Sequence, residues 1–318
     1  MKKKVFITGA NGFIGSGLIK YLTKKNKTNV YHSYRNNNFN AEHSSSIAII
    51  GDLTKKDTLE RVFKINYDII IHCAGIAHIL VGKKITYKQK KKYVLNNIVL
   101  TKKLLNAAID NNVSTFIFLS TVKVYGENSN SIINETSNKN PKDIYSFTKY
   151  KVENFLLNNK YSKKINIIIL QLPLTFGPGV KANFASVENY VNKKLPNFFL
   201  NFSTKRSFLY THSFFNLIEK IIEDKRNISE RFIVCNDDPI NFYELISIIA
   251  EAKKIKLIQF NLPKIIVRFL TNYFDKFKKI NSNFLFDNSK VKYQYNWKPI
   301  NIKLALKQYY SDENIQNF

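Results

Sequence analysis

Cysteine is scarce in this 318-residue chain, which carries only Cys73 and Cys235. They lie in different segments and neither belongs to a CxxC pair, so the sequence predicts neither a disulfide framework nor a zinc site. Long apolar runs are also missing, since none approaches the roughly 18 residues that a membrane-spanning helix needs. Residues 2–4 are basic like the start of a signal peptide, but residues 8–12 interrupt the apolar run that should follow. We therefore expect a cytoplasmic protein with no membrane span and no metal.

Acidic residues are the second shortage: 23 Asp and Glu stand against 50 Lys and Arg, which gives a formal net charge of +27. An excess of this size can attract nucleic acid, an anionic membrane or a polyanionic substrate. The lysines form no single long block, however, and Lys, Asn and Ile are abundant throughout, as in proteins of AT-rich genomes. We attribute the charge to this composition and expect no nucleic-acid partner, although a pyrophosphate site would gain from the positive field.

The order of apolar runs and helical patterns indicates the fold class. Strands are predicted at residues 5–8, 30–34, 47–50, 68–72, 115–119 and 165–172, with helices at 13–24, 55–63, 93–111 and 145–157. This alternation predicts an α/β fold with a doubly wound parallel Rossmann sheet. Pro173 and Gly177 then mark a loop-rich transition. We expect a dinucleotide-binding domain over residues 1–172 and a smaller C-terminal substrate-binding lobe, mainly residues 173–318, partly interleaved with the first.

The second lobe is predicted to mix helices at 184–194, 213–222 and 242–252 with short strands near 208–210 and 231–235. A further helix at 262–279 is apolar on one side and basic at its end. Such a helix is able to lie on a membrane surface. The favoured interpretation is that it packs on the core of its own lobe.

The turn after the first strand is rich in glycine, and residues 8–15 read TGANGFIG. Glycines at such a turn let the backbone approach a pyrophosphate, and the helix N-terminus supplies N–H donors and a positive dipole. A glycine triplet alone is a weak signal, because tight turns need glycine anyway. In this strand–turn–helix context the GxxGxxG spacing predicts dinucleotide binding. The predicted contacts here are Gly9, Gly12, Phe13, Ile14 and Gly15.

Small and polar residues follow the next strand ends. After the third strand, the carboxylate of Asp52 can accept a hydrogen bond from an adenine amino group, or equally cap the next helix. After the fourth strand, small side chains let a cofactor lie across the strand ends, and His72 is more readily structural than catalytic. The predicted cofactor contacts at these two ends are Asp52, Leu53, Cys73, Ala74 and Gly75.

The second strand ends without an acidic residue. An Asp or Glu there would bind the ribose 2′-hydroxyl of NAD, whereas an arginine accommodates the 2′-phosphate of NADP. Arg35 follows the strand and is either such a contact or a solvated loop residue. We expect NAD(P) as cofactor, with NADP(H) slightly favoured over NAD(H).

Tyr145 and Lys149 are four residues apart on a predicted helix, so both side chains lie on one face. A phenol has a reference pKa of about 10 and needs help to act as a base at neutral pH. A nearby ammonium stabilises the phenolate, as does a positively charged nicotinamide. Thr121, at the end of the fifth strand, can hydrogen-bond the same substrate oxygen. Such a pair is common by chance in a chain with 18 Tyr, but here it follows a complete dinucleotide-binding pattern.

Together these motifs resemble the extended short-chain dehydrogenase/reductase family, also called the NAD-dependent epimerase/dehydratase family, over nearly the whole chain. The resemblance implies a catalytic triad of Thr121, Tyr145 and Lys149. It also implies that Asn97 helps hold the active site, and that Asn97, Tyr145 and Lys149 contact the cofactor.

Within the family, the sequence is most similar to bacterial UDP-sugar 4-epimerases and 4-ketoreductases of surface-polysaccharide synthesis. The likeness is carried by residues 119–127 (LSTVKVYGE), 176–184 (FGPGVKANF), 206–210 (RSFLY) and 296–299 (NWKP). It implies a UDP-sugar substrate bound by Lys123, Asn183 and Arg206, the last as a pyrophosphate clamp. Two positions depart from the subgroup: Gln171 stands where arginine is usual, and His212 where aspartate is usual. These departures concern details of the second lobe rather than the chemistry.

The leading interpretation is an NAD(P)-dependent nucleotide-sugar C4 epimerase for UDP-glucose or UDP-N-acetylglucosamine, working by transient C4 oxidation. The alternative is an NADPH-dependent 4-ketoreductase of a UDP-4-keto-6-deoxy-sugar, which Arg35 and the missing strand-two acid favour. A remote alternative is a non-catalytic NAD(P)- or RNA-binding protein, against which the intact triad and the lack of a basic-aromatic RNA motif argue. The resemblance also implies a homodimer formed through the helices at 93–111 and 145–157.

Overall fold

The computed structural model describes residues 1–35, 46–77, 85–180, 183–202 and 204–311, and the chain separates into two units. Unit 1 comprises Met1–Tyr125, Asn138–Gln171 and Leu217–Phe232, and unit 2 comprises Gly126–Ser137, Leu172–Asn216 and Ile233–Phe318.

Strands and helices alternate through the first half of the chain, and the described elements, in chain order, have the following bounds. The strands are β1 (Lys4–Thr8), β2 (Asn29–Tyr34), β3 (Ile47–Ile50), β4 (Ile69–His72), β5 (Thr115–Thr121), β6 (Asn166–Leu172), β7 (Leu174–Phe176), β8 (Lys205–Arg206), β9 (Phe208–Tyr210), β10 (Glu230–Ile233) and β11 (Ile240–Asn241). The α-helices are α1 (Phe13–Lys25), α2 (Lys56–Val62), α3 (Tyr87–Tyr93), α4 (Leu100–Asp110), α5 (Ile144–Leu156), α6 (Asn159–Ser162), α7 (Asn183–Asn192), α8 (Thr211–Glu223), α9 (Phe242–Ala252), α10 (Lys264–Tyr273), α11 (Asp275–Ile280), α12 (Ser289–Tyr295) and α13 (Ile302–Ser311). A π-helical turn (Val94–Val99) joins α3 to α4, and a 3-10 turn (Val122–Tyr125) follows β5.

Unit 1 is built on a seven-stranded sheet with the order β10-β6-β5-β4-β1-β2-β3. The pairs β1–β2, β1–β4, β2–β3 and β4–β5 are all parallel. Both β4 and β6 are buried along their whole length, as expected for strands with helices on both faces of the sheet. The predicted doubly wound Rossmann sheet is therefore confirmed. Its strand order reverses between β1 and β4, and ligands of open α/β sheets bind outside the carboxyl ends at such a point.

The core of unit 1 follows from the apolar pattern of its strands and of α4. Phe6, Ile70 and Phe118 from three strands pack in one cluster with Leu104 of α4 and Val152 of α5. On α4 the apolar residues recur with helical spacing, so one face meets the sheet. Full burial of such a side chain stabilises the fold by about 1.5–3 kcal/mol.

The helix predicted at 93–111 differs from the observed one in two respects. It begins earlier, at Tyr87, because Thr86 forms a capping box with Gln89. The π-helical turn then inserts an extra residue into the helical repeat and shifts the face that meets the sheet. Val94, predicted on the inner side, is consequently exposed, whereas Asn97 is buried.

Unit 2 has its own aromatic-rich core, to which Phe176, Phe184 and Phe208 contribute. Two small sheets accompany it: β7 pairs with β9 in parallel, and β8 pairs with β11 antiparallel. The C-terminal NWKP segment is anchored through Trp297, which is 1% exposed and donates its indole N–H to the carbonyl of Ser213 at 3.0 Å.

The stretch predicted as one helix at 262–279 is two helices, α10 and α11. The favoured interpretation, that its apolar side packs on the core of its own lobe, is wrong for most of α10. Val267 is the buried residue of that helix, whereas Ile265, Phe269 and Tyr273 are all more than half exposed. Within the described residues, the helices are too short or too polar to cross a membrane.

Candidate active site

A cavity of about 290 Å³ lies at the carboxyl ends of the first four strands of unit 1. Its walls come from the glycine turn, the ends of β2, β3 and β4, the π-helical turn and the start of α4. The lining residues are Gly9, Ala10, Asn11, Gly12, Ser33, Tyr34, Arg35, Gly51, Asp52, Leu53, Cys73, Ala74, Gly75, Ile76, Asn96 and Leu100.

The glycine turn has the shape that a dinucleotide pyrophosphate requires. Gly9 has a φ of +74°, and a Cβ built there would lie 2.7 Å from the backbone nitrogen of Ala74. A Cβ on Gly15 would overlap the carbonyl oxygen of Gly9, and one on Gly12 would lie 3.1 Å from the same oxygen. No side chain caps α1, so the N–H groups of its first turn have no side-chain acceptor from the N-cap. The residues present therefore fit a bound NAD(P) pyrophosphate at this helix N-terminus.

The structure brings most of the predicted cofactor contacts to the cavity, including Gly9, Gly12, Arg35 and the two groups that follow β3 and β4. Phe13, Ile14 and Gly15 lie in the first turn of α1 and are not part of the wall. Sequence reasoning missed several lining residues. Ser33 and Tyr34 stand at a strand end beside Arg35 and were detectable by position, whereas Ile76, Asn96 and Leu100 depend on how the π-helical turn meets the sheet.

Asp52 and Arg35 form the polar rim of this cavity. Asp52 accepts hydrogen bonds from the backbone N–H and the hydroxyl of Thr54, both at 2.9 Å. Burial raises the pKa of Asp52, but these bonds and the charges of Arg35 and Lys55 outweigh it and hold the pKa below its usual value. Helix α2 has Lys55 as its N-cap, so the alternative role of Asp52 as the helix cap is wrong. Arg35 is exposed and donates to the side-chain oxygen of Asn96 at 2.6 Å.

Thr121 and Tyr145 meet through a hydrogen bond between their side chains. Thr121 ends β5 and Tyr145 lies in the first turn of α5, whose N-cap is Asp143 in a capping box with Ser146. Burial raises the pKa of Tyr145 well above its ordinary value, the Asp143 charge adds to the rise, and the Thr121 hydrogen bond opposes it. Tyr145 is therefore a neutral phenol at neutral pH unless a further positive charge is supplied.

Lys149 supplies a buried positive charge one turn further along α5. Its ammonium donates to the carbonyl of Leu119 at 2.7 Å and lies 4.3 Å from the centroid of the Phe118 ring. Burial lowers the pKa of Lys149 to about 8, while the nearby Cys73 and Glu153 act to raise it. The group is thus mostly charged at pH 7. A Cβ built on Gly75 would lie 3.5 Å from this ammonium, so Lys149 stands directly behind the cavity wall.

His72 is the centre of a buried chain of hydrogen bonds under the cavity. Thr101 donates its proton to the carbonyl of Asn97 at 2.6 Å, so its oxygen accepts from Nε2 of His72 at 2.9 Å. Nδ1 is then an acceptor and receives the hydroxyl proton of Thr8 at 2.7 Å. The Thr8 oxygen accepts the backbone N–H of Ala74 at 3.1 Å. This pattern requires the neutral Nε2–H tautomer, and burial lowers the pKa of His72 to about 3.

Asn97 connects the π-helical turn to the strand end and to α5. Its side-chain oxygen accepts the backbone N–H of Ile76 at 2.8 Å, and its amide donates to the Ile76 carbonyl at 3.1 Å. The same amide donates to the hydroxyl of Thr148 at 3.0 Å. Because Thr148 precedes Lys149, Asn97 sets the spacing between the cavity wall and the helix that carries the Tyr–Lys pair.

A second buried network, which sequence reasoning missed, surrounds Glu153. Ser120 donates to its carboxylate at 2.5 Å, and the amide of Gln171 donates to both oxygens at 2.9 and 2.8 Å. Tyr125 donates to the Gln171 carbonyl at 2.8 Å, which fixes the amide orientation. Burial raises the pKa of Glu153, although these bonds and the charge of Arg231 oppose the rise. Gln171 thus lies in unit 1 and not in the second lobe, where its departure had been expected to matter.

The residues predicted to bind the substrate lie in different parts of the structure. Lys123 forms an ion pair with Asp143 at 3.1 Å and so belongs to the start of the α5 helix. Arg206 lies in unit 2, donates to the hydroxyl of Ser282 at 2.9 Å and to the carbonyl of Glu127 at 3.3 Å, and packs near Phe284. Asn183 begins α7, and its side chain lies outside the described part of the structure, as do residues 181 and 182. His212 is exposed in the first turn of α8.

The fold and the glycine turn define a dinucleotide-binding protein of the extended short-chain dehydrogenase type. The model of the NAD dependent epimerase/dehydratase family matches residues 5–234, and the chain belongs to this family. It is 28% identical over 309 residues to the UDP-glucose 4-epimerase of Vibrio cholerae, covering 94% of this chain and 92% of that protein.

Two solved structures show the same fold. The UDP-glucuronic acid 4-epimerase from Bacillus cereus, in complex with NAD, has a TM-score of 0.75 at 22% identity and covers 96% of this chain and 97% of that one. RMD from Pseudomonas aeruginosa, complexed with NADPH, has a TM-score of 0.72 at 19% identity and covers 98% of both chains.

Gly9→Ala tests the close approach in the glycine turn. We expect NAD(P) affinity to fall at least roughly tenfold, because a loss of 1.4 kcal/mol in binding free energy corresponds to a factor of ten. The matched control is Gly179→Ala, because Gly179 has a similar φ of +77° but open space around its Cβ position. Both variants should lose stability through backbone strain, while only Gly9→Ala should lose cofactor affinity. Calorimetric titration with NAD and NADP measures this, and unchanged affinity in Gly9→Ala would contradict the assignment.

His72→Asn tests the buried neutral imidazole. The pKa of His72 is about 3 in the fold against 6.5 for an ordinary histidine. The unfolded chain therefore binds the extra proton between these values, and stability falls as pH falls below 6.5. From pH 7.5 to 5.5 the wild type should lose about 1.4 kcal/mol more unfolding free energy than the variant. Urea unfolding of both proteins at the two pH values measures the difference, and equal losses would refute the neutral buried state.

Proposed function

We propose that this protein is an NAD(P)-dependent nucleotide-sugar C4 epimerase of the UDP-glucose or UDP-N-acetylglucosamine type. The observation that carries the proposal is the hydrogen bond between Thr121 and Tyr145, with Lys149 behind the wall of the adjoining cavity. The likeness to the Vibrio cholerae UDP-glucose 4-epimerase over 94% of the chain supports the substrate class.

In this proposal Tyr145 moves a proton at the sugar C4 oxygen, and Thr121 orients that oxygen. A nicotinamide cofactor, when bound, would accept hydride from the sugar C4 and return it. Tyr145 is uncharged on its own, so it removes a proton only when positive charge lowers its pKa. We assign part of this role to Lys149, whose buried ammonium lies one turn further along α5. A sugar that turns between the two proton transfers regains its hydrogen on the opposite face, which inverts C4.

The cofactor that we propose is NAD(P), with NADP(H) slightly favoured. Strand β2 reads NVYHSY and ends without an acid, and Arg35 follows at the cavity rim. A guanidinium at that point suits a 2′-phosphate, whereas an acid would suit the free ribose hydroxyl.

The alternative is a 4-ketoreductase of a UDP-4-keto-6-deoxy-sugar that consumes NADPH. The neutral Tyr145 favours it, since a reductase needs this group only as a proton donor, and Arg35 favours its cofactor. A non-catalytic NAD(P)- or RNA-binding protein would have no use for a Tyr, Thr and Lys arrangement of this kind.

For the substrate, we assign Lys123, Asn183 and Arg206 to binding of the UDP-sugar, with Arg206 as the diphosphate contact. For the assembly, we propose a homodimer through α3–α4 and α5. Val94, Leu95 and Phe147 on these elements are large apolar side chains with 39% to 43% exposure. Their burial against a second copy would remove apolar area from water.

The first test is C4 epimerisation of UDP-glucose and UDP-N-acetylglucosamine by the cofactor-replete protein without added NADPH. We expect the C4 epimer from wild type, and a loss of about 10²- to 10⁴-fold in Tyr145→Phe with cofactor binding nearly intact. Tyr150→Phe, on the same helix, is the matched control and should keep full activity. Stoichiometric NADPH oxidation with a 4-keto sugar, and no epimer, would replace the epimerase with the reductase. A loss below tenfold in Tyr145→Phe would remove Tyr145 from catalysis.

Arg206→Ala tests the diphosphate contact. Charge-assisted hydrogen bonds contribute about 1.5–3 kcal/mol, so affinity for UDP should fall roughly 10- to 100-fold. Arg206→Lys should recover part of the loss, because it keeps the charge but not the planar fork. Lys205→Ala is the neighbouring control, and NAD(P) affinity should change in none of the three. Calorimetry with UDP decides, and wild-type UDP affinity in Arg206→Ala would take this residue out of the site.

A further inference from the structure

One sequence segment of unit 2 carries a concentration of exposed apolar side chains. Its members are large side chains between 41% and 77% exposed. They are Ile258, Phe260, Ile265, Ile266, Phe269, Tyr273 and Phe274, which we name the 258–274 patch. Single exposed apolar side chains are ordinary, but seven within seventeen residues of sequence are unusual for a surface that faces only water.

Helix α10 presents its apolar face outward. At 3.6 residues per turn, Ile265, Ile266, Phe269 and Tyr273 share a face about 100° wide. Val267, which joins the core of unit 2, points in nearly the opposite direction. The rings of Phe269 and Tyr273 lie 4.8 Å apart, so two aromatic side chains stand together on the outer face. A surface helix of a globular protein normally places such a face against the core, so this one is built for another environment.

The sequence segment that contains the patch is mostly basic. From residue 252 to 286 the sequence has eight Lys or Arg and a single acid, Asp275. Within α10, Arg268 is exposed and lies on one flank of the apolar face, whereas Lys264 is exposed at the start of the helix on the side away from that face. Further exposed lysines stand before and after it at Lys254, Lys256 and Lys278.

The exposed apolar face and the basic residues near it together indicate what kind of partner binds to the patch. Lysine is depleted in protein–protein interfaces, and two copies of so basic a segment would repel each other. A lipid bilayer with anionic headgroups satisfies both features at once, because aromatic and aliphatic side chains enter the acyl boundary while basic ones meet the headgroups. The ten residues of α10 extend about 15 Å, too short to span a bilayer but suited to lie in its surface.

We propose that the 258–274 patch docks this protein onto an anionic membrane surface, with α10 in the plane of the headgroups. Ile265, Phe269 and Tyr273 enter the lipid, and Arg268 at the edge of the apolar face contacts phosphate. The inference does not depend on which sugar nucleotide the enzyme uses.

Vesicle co-sedimentation of the full chain tests the proposal. Wild type should bind vesicles of phosphatidylcholine with about one third phosphatidylglycerol, and should bind pure phosphatidylcholine weakly. Salt on the order of 1 M, where the Debye length is about 3 Å, should weaken binding to the anionic vesicles. Phe269→Ser should lower the partition coefficient about tenfold. Arg268→Gln should lower it about fivefold, the effect of removing one charge near the surface.

Matched controls separate the patch from general stickiness. Tyr293→Ser removes a 91% exposed aromatic from α12, and Lys91→Gln removes an exposed charge from α3. Both should bind vesicles like wild type, and all variants should keep the wild-type melting temperature, since only exposed side chains change. Equal binding to neutral and anionic vesicles, or wild-type binding by the patch variants, would overturn the proposal. So would sedimentation velocity that shows Phe269→Ser dissociating a dimer while no vesicle binding occurs, because the occupant would then be a second copy.

Discussion

A buried imidazole must have both ring nitrogens paired, and in unit 1 this constraint determines how the carboxyl ends of β1 and β4 meet. His72 is wholly buried, where an unmade hydrogen bond costs about 1–3 kcal/mol. Thr8 from the neighbouring strand and Thr101 from α4 are the only residues the described structure places on its ring nitrogens. Once they are in position, the Ala74 N–H and the Asn97 carbonyl are fixed as well. The cavity wall therefore depends on an interaction that touches no ligand.

Polar contacts also fix the position of helix α5 relative to the end of β5. Asp143 caps the helix and pairs with Lys123, which lies just beyond β5. Further along the helix, Glu153 is tied to Ser120, the residue before Thr121. Strand end and helix are thus joined on both sides of the Thr121–Tyr145 hydrogen bond. Positional precision at this bond comes from buried polar contacts, since a misplacement of about 1 Å costs catalysis heavily.

The sequence was informative where function depends on short spacings. The glycine turn and the Tyr145–Lys149 pair each lie within eight residues, so local geometry alone brings their atoms together. Asn96 and Leu100 could not be predicted as cavity residues, because a π-helical turn sets their direction. The Glu153–Gln171 network joins residues from a helix and a strand that no local pattern connects. The apolar face of α10 was recognised, but periodicity shows only which residues share a face, not whether another element covers it.

That distinction changes how the charge of the chain is understood. A net charge of +27 spread over the whole sequence follows from composition and specifies no partner. In the 258–274 patch, however, an exposed arginine flanks an outward-facing apolar stripe on a helix that touches the core through Val267. Had composition alone placed the lysines, the apolar residues of α10 would still have been expected to face inward, since that arrangement removes the most apolar area from water. An outward orientation loses this stabilisation in the isolated protein, and a bilayer is the environment that restores it.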